Sequence, residues 1–93
     1  MISAWCLSTG ALADKRISSQ QVLDLVVKGE IVSILSLQEQ HSELQNVRWL
    51  DIELEREHGI WLYEMKVIDE QGEIFEYTFN AETGELLHIE LED

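Results

Sequence analysis

The stretch VRWLDIELEREHGIWLYEMKVIDEQGEIFEYTFNAETGELLHIELED, residues 47–93, decides the fold. It holds four runs in which apolar and polar residues alternate, over 47–57, 60–69, 73–80 and 85–92. A period of two marks a strand with one wet and one buried face. Three short segments, each with a glycine, separate the runs: His58-Gly59, Glu70-Gln71-Gly72 and Glu82-Thr83-Gly84. Turn length sets strand register, and register decides which side chains share a face.

A two-residue His58-Gly59 loop sets Leu54 against Tyr63, Ile52 against Met65 and Leu50 against Val67. A three-residue loop would bring Glu53 beside Tyr63, so the pattern selects the shorter turn; histidine also tolerates positive φ better than most residues. Glu70-Gln71-Gly72 reads as a three-residue loop ending in a left-handed glycine. It opposes Val67 to Phe75, Met65 to Tyr77 and Tyr63 to Phe79. Glu82-Thr83-Gly84, taken in the same form, opposes Phe79 to Leu87, Tyr77 to Ile89 and Phe75 to Leu91. All these side chains fall on one face. At about 1.5–3 kcal/mol per fully buried side chain, that face is the main stabilising term, and it needs helices over it.

The opposite face reads in rows: Asp51–Lys66–Glu76–Glu90, Glu53–Glu64–Thr78–His88, and Trp49–Ile68–Ile74–Glu92. Glu53 opposing Glu64 costs some tenths of a kcal/mol. The third row is apolar where water is expected, which marks either a contact surface or a strip covered by the N-terminal part of the chain.

The helices come from the front half. Ser18 with Gln21 makes a capping box, Ile17 and Val22 occupy the staple positions, and Val22, Leu25 and Val26 form a stripe that Gly29 ends. A second helix is expected from Ser33 to about Gln45, with Ile34, Leu37, His41 and Leu44 on one side. His41 reads as a hydrogen-bonded core histidine rather than a metal ligand.

Ninety-three residues make one domain able to bury roughly 60–65% of its unfolded surface. Nineteen acids against six bases leave a net charge of −13. That argues against nucleic acid and anionic membrane surfaces, and leaves a basic protein, a cation or plain solubility as explanations. Residues 1–13 are uncharged and end in Ala11-Leu12-Ala13, followed by Asp14-Lys15-Arg16. They read as the tail of an export signal whose beginning is missing, or as an ordinary lightly packed terminus, with the domain over 14–93. Cys6, the only cysteine, permits no intramolecular disulfide, and the bulky Trp5 before it argues against lipid attachment.

No catalytic constellation is present in the sequence. Asp69-Glu70-Gln71-Gly72-Glu73 is a turn rather than a calcium loop, since the alternating ligands are missing. His41, His58 and His88 have no ligand spacing. The Glu53/Glu64 pair could in principle do acid–base work, but it sits on an open sheet face.

The stretch 59–67, Asp69 with Gly72, Glu76-Tyr77 and Asn80-Ala81-Glu82-Thr83-Gly84-Glu85-Leu86-Leu87 together resemble a PepSY domain, over about residues 31–93. The segment before it, with Lys28-Gly29-Glu30-Ile31, is similar to small exported single-domain PepSY proteins. The resemblance implies helices packed on an antiparallel sheet, no catalytic residue, and a role in binding or inhibiting peptidases, as in the propeptides of thermolysin-like metallopeptidases. It also implies links to envelope signalling and metal-responsive systems. No peptidase or membrane span accompanies the domain in these 93 residues, so the propeptide role is not expected to transfer intact.

The expected fold is α+β, with N-terminal helices on one face of a four-stranded antiparallel meander. The expected function is that of a non-catalytic, periplasmic or secreted protein-binding domain without cofactor. Its partner would be an envelope protein, either a peptidase or a sensor ectodomain. The candidate partner surface is Trp49, Asp51, Glu53, Glu64, Lys66, Ile68, Ile74 and Glu76, with the open strand edge at 85–92 as another route. Two further expectations are a low-affinity divalent-cation module on the carboxylate rows and weak homodimerisation through the apolar row.

Overall fold

A computed structural model describes residues 17–92. The export-signal reading of 1–13 and the readings of Cys6 lie outside them. Two helices, α1 (Ser19–Val27) and α2 (Ile34–Gln40), lead through a 3-10 helix (Ser42–Asn46) into four strands. These are β1 (Arg48–Glu57), β2 (Ile60–Ile68), β3 (Ile74–Asn80) and β4 (Leu86–Glu92), antiparallel in the order β1-β2-β3-β4. The fold is the α+β meander that the turns predict.

The capping box on α1 forms: the Ser18 hydroxyl accepts from the Gln21 amide, and the Gln21 side chain accepts from the Ser18 amide. At its other end the Gly29 and Glu30 amides donate to the Val26 and Leu25 carbonyls, closing the helix. The second helix is shorter than expected. At His41 the backbone turns extended, with φ −127° and ψ 94°, and the chain continues as the 3-10 helix. The cause is tertiary: the His41 ring donates from Nε2 to the Gly84 carbonyl at 2.7 Å and packs against Phe79, with ring centroids 5.0 Å apart. His41 is therefore the hydrogen-bonded core histidine that its place on the stripe implies.

The first turn is the expected two-residue loop, with His58 at φ 51° and Gly59 at φ 83°. The second turn is also as expected. Asp69 pairs with Glu73 through the backbone, and its carboxylate accepts from the Gln71 and Glu73 amides at 2.9 Å. Leu54–Tyr63, Ile52–Met65, Val67–Phe75, Met65–Tyr77 and Tyr63–Phe79 are all opposed as expected.

Three register expectations need correction. Leu50 does not oppose Val67; a bulge between Trp49 and Asp51 gives that place to Trp49 and leaves Leu50 47% exposed. Trp49 consequently leaves the outer row, where Arg48 opposes Ile68 instead. Its indole packs against the core, and Nε1 donates to the Leu44 carbonyl at 3.3 Å. The third turn is one residue longer than expected, because the Asn80 amide donates to the Glu85 carbonyl across Ala81–Gly84. Ala81 is held inward: its amide donates to Trp61 and its carbonyl accepts from Val32, at 2.9 and 2.8 Å. Phe79 therefore opposes Leu86, not Leu87, and the register shift after it restores the expected Thr78–His88 and Tyr77–Ile89 pairs.

The core joins Tyr63, Met65, Val67, Tyr77 and Phe79 of the sheet to Ile31, Leu37 and Leu44 of the front half. The Tyr63 hydroxyl donates to the Val32 carbonyl at 2.6 Å, so the polar end of this buried ring is satisfied. Burial raises its pKa. The helical cover stops short of β4, where Leu87, Ile89 and Leu91 remain 47%, 46% and 51% exposed.

Candidate functional site

The sheet face turned away from the helices is built by strand parity alone. Its observed rows are Asp51–Lys66–Glu76–Glu90, Glu53–Glu64–Thr78–His88 and Arg48–Ile68–Ile74–Glu92. The structure thus brings together Asp51, Glu53, Glu64, Lys66, Ile68, Ile74 and Glu76 of the expected partner surface, and removes Trp49 from it. Ile68 and Ile74 are partly buried and stand outside the core cluster, flanked by Arg48 and Glu92 rather than by tryptophan.

Lys66 reaches diagonally across β3 to Glu92, Nζ to Oε2 3.4 Å. Both side chains are well exposed, so the pair contributes little stability. It does place one cation among carboxylates.

The residue that sequence reasoning passed over is Glu55. It follows Glu53 by two and so shares its face, opposing Leu62, which is buried. Oxygens of Glu53, Glu55 and Glu64 lie within 4.8 Å of one another. The pKa of Glu64 is pushed up to about 7, first by burial, then by a hydrogen bond with Glu55 and by the charges of Glu55, Glu76 and Glu53. Near neutrality Glu64 is thus part protonated, its O–H donating to Glu55. Such a trio can hold a proton, meet a guanidinium or ammonium, or gather a hard cation. Period-two parity along β1 was enough to find Glu55.

An apolar cleft of about 350 Å³ runs between α1 and the β1 edge, lined by Ile17, Val22, Ile34, Ile52, Leu54 and Tyr63, with Ser19, Asp51 and Glu53 around them. Strand parity alone does not reveal it, because it depends on how α1 sits against the sheet. Among the described residues no helix is long and apolar enough to cross a membrane.

The PepSY family model, described as the peptidase propeptide and YPEB domain, matches residues 16–90. No curated protein and no solved structure matches the chain.

Proposed function

The chain belongs to the PepSY family, and from that premise we propose that it is a non-catalytic, exported protein-binding domain that modulates or inhibits a peptidase or an envelope sensor. Domains of this family are propeptide-like or peptidase-inhibitory modules, typically in exported proteins, so the setting is periplasmic or secreted. The carrying observation is the family match together with an outer sheet face left bare by the helices and lined by Asp51, Glu53, Glu55, Glu64 and Glu76. On a chain of net charge −13 such a face steers and orients a partner presenting lysine and arginine. The apolar Ile68–Ile74 pair beside it supplies the desolvated centre that specific contacts need.

The test is an affinity pull-down from a cell-envelope extract with the immobilised chain, run beside a Glu53→Gln/Glu64→Gln/Glu76→Gln variant. The expected outcome is a peptidase or sensor ectodomain retained by the first and lost by the second, and peptidase activity that falls on titration with the chain. Equal retention by both would remove the outer face from the function.

A second reading is favoured by the Glu53–Glu55–Glu64 cluster: a low-affinity divalent-cation module. Calorimetric titration with calcium and magnesium separates the two. Heat that disappears in Glu53→Gln/Glu64→Gln supports the cation reading, and absence of heat leaves the protein-binding one.

A further inference from the structure

β4 is the open edge of the sheet. The other edge, β1, carries a bulge in its length at Leu50, and the inward residues Ile52 and Leu54 lie beside α1. Among the described residues β4 has no such cover. Its register shift lies at its start, and from His88 to Glu92 it pairs regularly with β3. Proteins guard an open edge with proline, lysine or an inward-pointing charge. None of these occurs in Leu86–Glu92, where the charged Glu90 and Glu92 both point to the outer face while Ile89 and Leu91 continue the apolar face past Tyr77 and Phe75.

This strand is also complementary to itself. Laid antiparallel on a second copy and centred on Ile89, it places Ile89 on Ile89, Leu87 on Leu91 and His88 on Glu90 of the second copy. Leu87, Ile89 and Leu91 then meet only apolar residues on the inner face, and each carboxylate at position 90 meets an imidazole on the outer face. At the end of the overlap Leu86 alone falls against a carboxylate, Glu92. A shift centring on Glu90 opposes Glu90 to itself, and one centring on Leu91 opposes Glu90 to Glu92. One centring on His88 sets two leucines against carboxylates, Leu91 on Glu85 and Leu86 on Glu90, and loses the His88–Glu90 pair. Like charges, or a second leucine facing a carboxylate, make all three poorer than the Ile89-centred pairing. We propose that two copies of the chain pair antiparallel through β4 in the Ile89-centred register, joining their sheets into one of eight strands. The interface takes in His88 and Glu90 at the β4 end of the outer rows but none of Asp51, Glu53, Glu55, Glu64 or Glu76, and it stands or falls independently of the peptidase-directed reading.

Each copy carries −13, so long-range repulsion opposes the pairing and added salt strengthens it. A complex with a basic partner would respond in the opposite sense. Sedimentation equilibrium of the full chain over a concentration series is the test. The expected result is a mass moving from one chain to two, at lower concentration as sodium chloride is raised. Ile89→Lys, an inward charge at a half-exposed site, weakens the dimer at least about tenfold. His88→Glu weakens it as well by setting two carboxylates together, and His88→Glu combined with Glu90→Lys recovers it, because each crossed pair is then a glutamate with a lysine. Should Ile89→Lys disturb the fold by circular dichroism, the His88 and Glu90 variants on the solvent side carry the test alone. A chain that stays single throughout, a dimer indifferent to these changes, or one broken by Ile74→Lys instead would overturn the proposal. So would a single chain whose β4 pairs only with an added lysine-rich extended peptide.

Discussion

His41 and Gly84 are joined across 43 residues by one hydrogen bond, imidazole Nε2 to carbonyl oxygen, 2.7 Å. The bond ties the end of α2 to the β3–β4 turn, and it interrupts the helix at that point. His41→Ala leaves the carbonyl of the buried Gly84 without this partner and empties the space beside Phe79. The expected loss is about 1–3 kcal/mol of unfolding free energy, read by urea denaturation. An unchanged midpoint would show that the ring is an ornament of the fold.

Gly84 itself has φ +89°, and the atoms nearest to a Cβ there belong to the far end of the Gln40 side chain, at 2.6 Å. That amide can swing into water, so backbone strain is the remaining cost. Gly84→Ala should lose about 1–3 kcal/mol, similar to Gly59→Ala, whose φ is +83° in open space. Gln40→Ala should not rescue it. Rescue would show that crowding, rather than conformation, requires the glycine.

The core and the helix surface should answer differently to truncation. Phe79 is fully buried while Leu23 on α1 is 54% exposed. Phe79→Ala is expected to cost about 3–5 kcal/mol, enough to unfold much of a small domain, and Leu23→Ala less than about 0.5 kcal/mol. Denaturant midpoints compare the two directly.

Glu64 links stability to pH. Its pKa rises from 4.5 to about 7 on folding, so between those values the folded chain holds more of the proton than the unfolded one. Stability from this group is complete below pH 4.5 and is lost as pH climbs through about 7. Glu64→Gln keeps the neutral form at every pH and should gain on the wild type as pH rises over this range. A difference between the two that does not vary with pH would contradict the shared proton.

With thirteen surplus negative charges, self-repulsion weakens the compact state, and salt screens it. Tm should rise with sodium chloride. Calcium chloride at equal ionic strength should add a further rise only if Glu53, Glu55 and Glu64 gather the ion, and Glu53→Gln/Glu64→Gln should cancel that increment.

The middle of the sheet was legible because its information is local. His58-Gly59 and Glu70-Gln71-Gly72 each admit one loop form, and period-two alternation then assigns every side chain from Asp51 to Phe79 to a face. The acidic outer rows follow from the same parity, and Glu55 could have been read with them. The errors lie where a distant group competes with the local rule. Leu44 draws Trp49 inward and displaces Leu50. Trp61 and Val32 together claim Ala81, lengthening its turn, and the bulge that follows absorbs the extra residue.

Strand number, order, turn sites and the chemical character of each face were therefore contained in the order of residues, because backbone geometry converts alternation and turn length directly into register. The reach of the helices over the sheet, the break at His41 and the bareness of β4 were not. They depend on which backbone groups and rings find partners far along the chain, a competition that is resolved only when the chain packs.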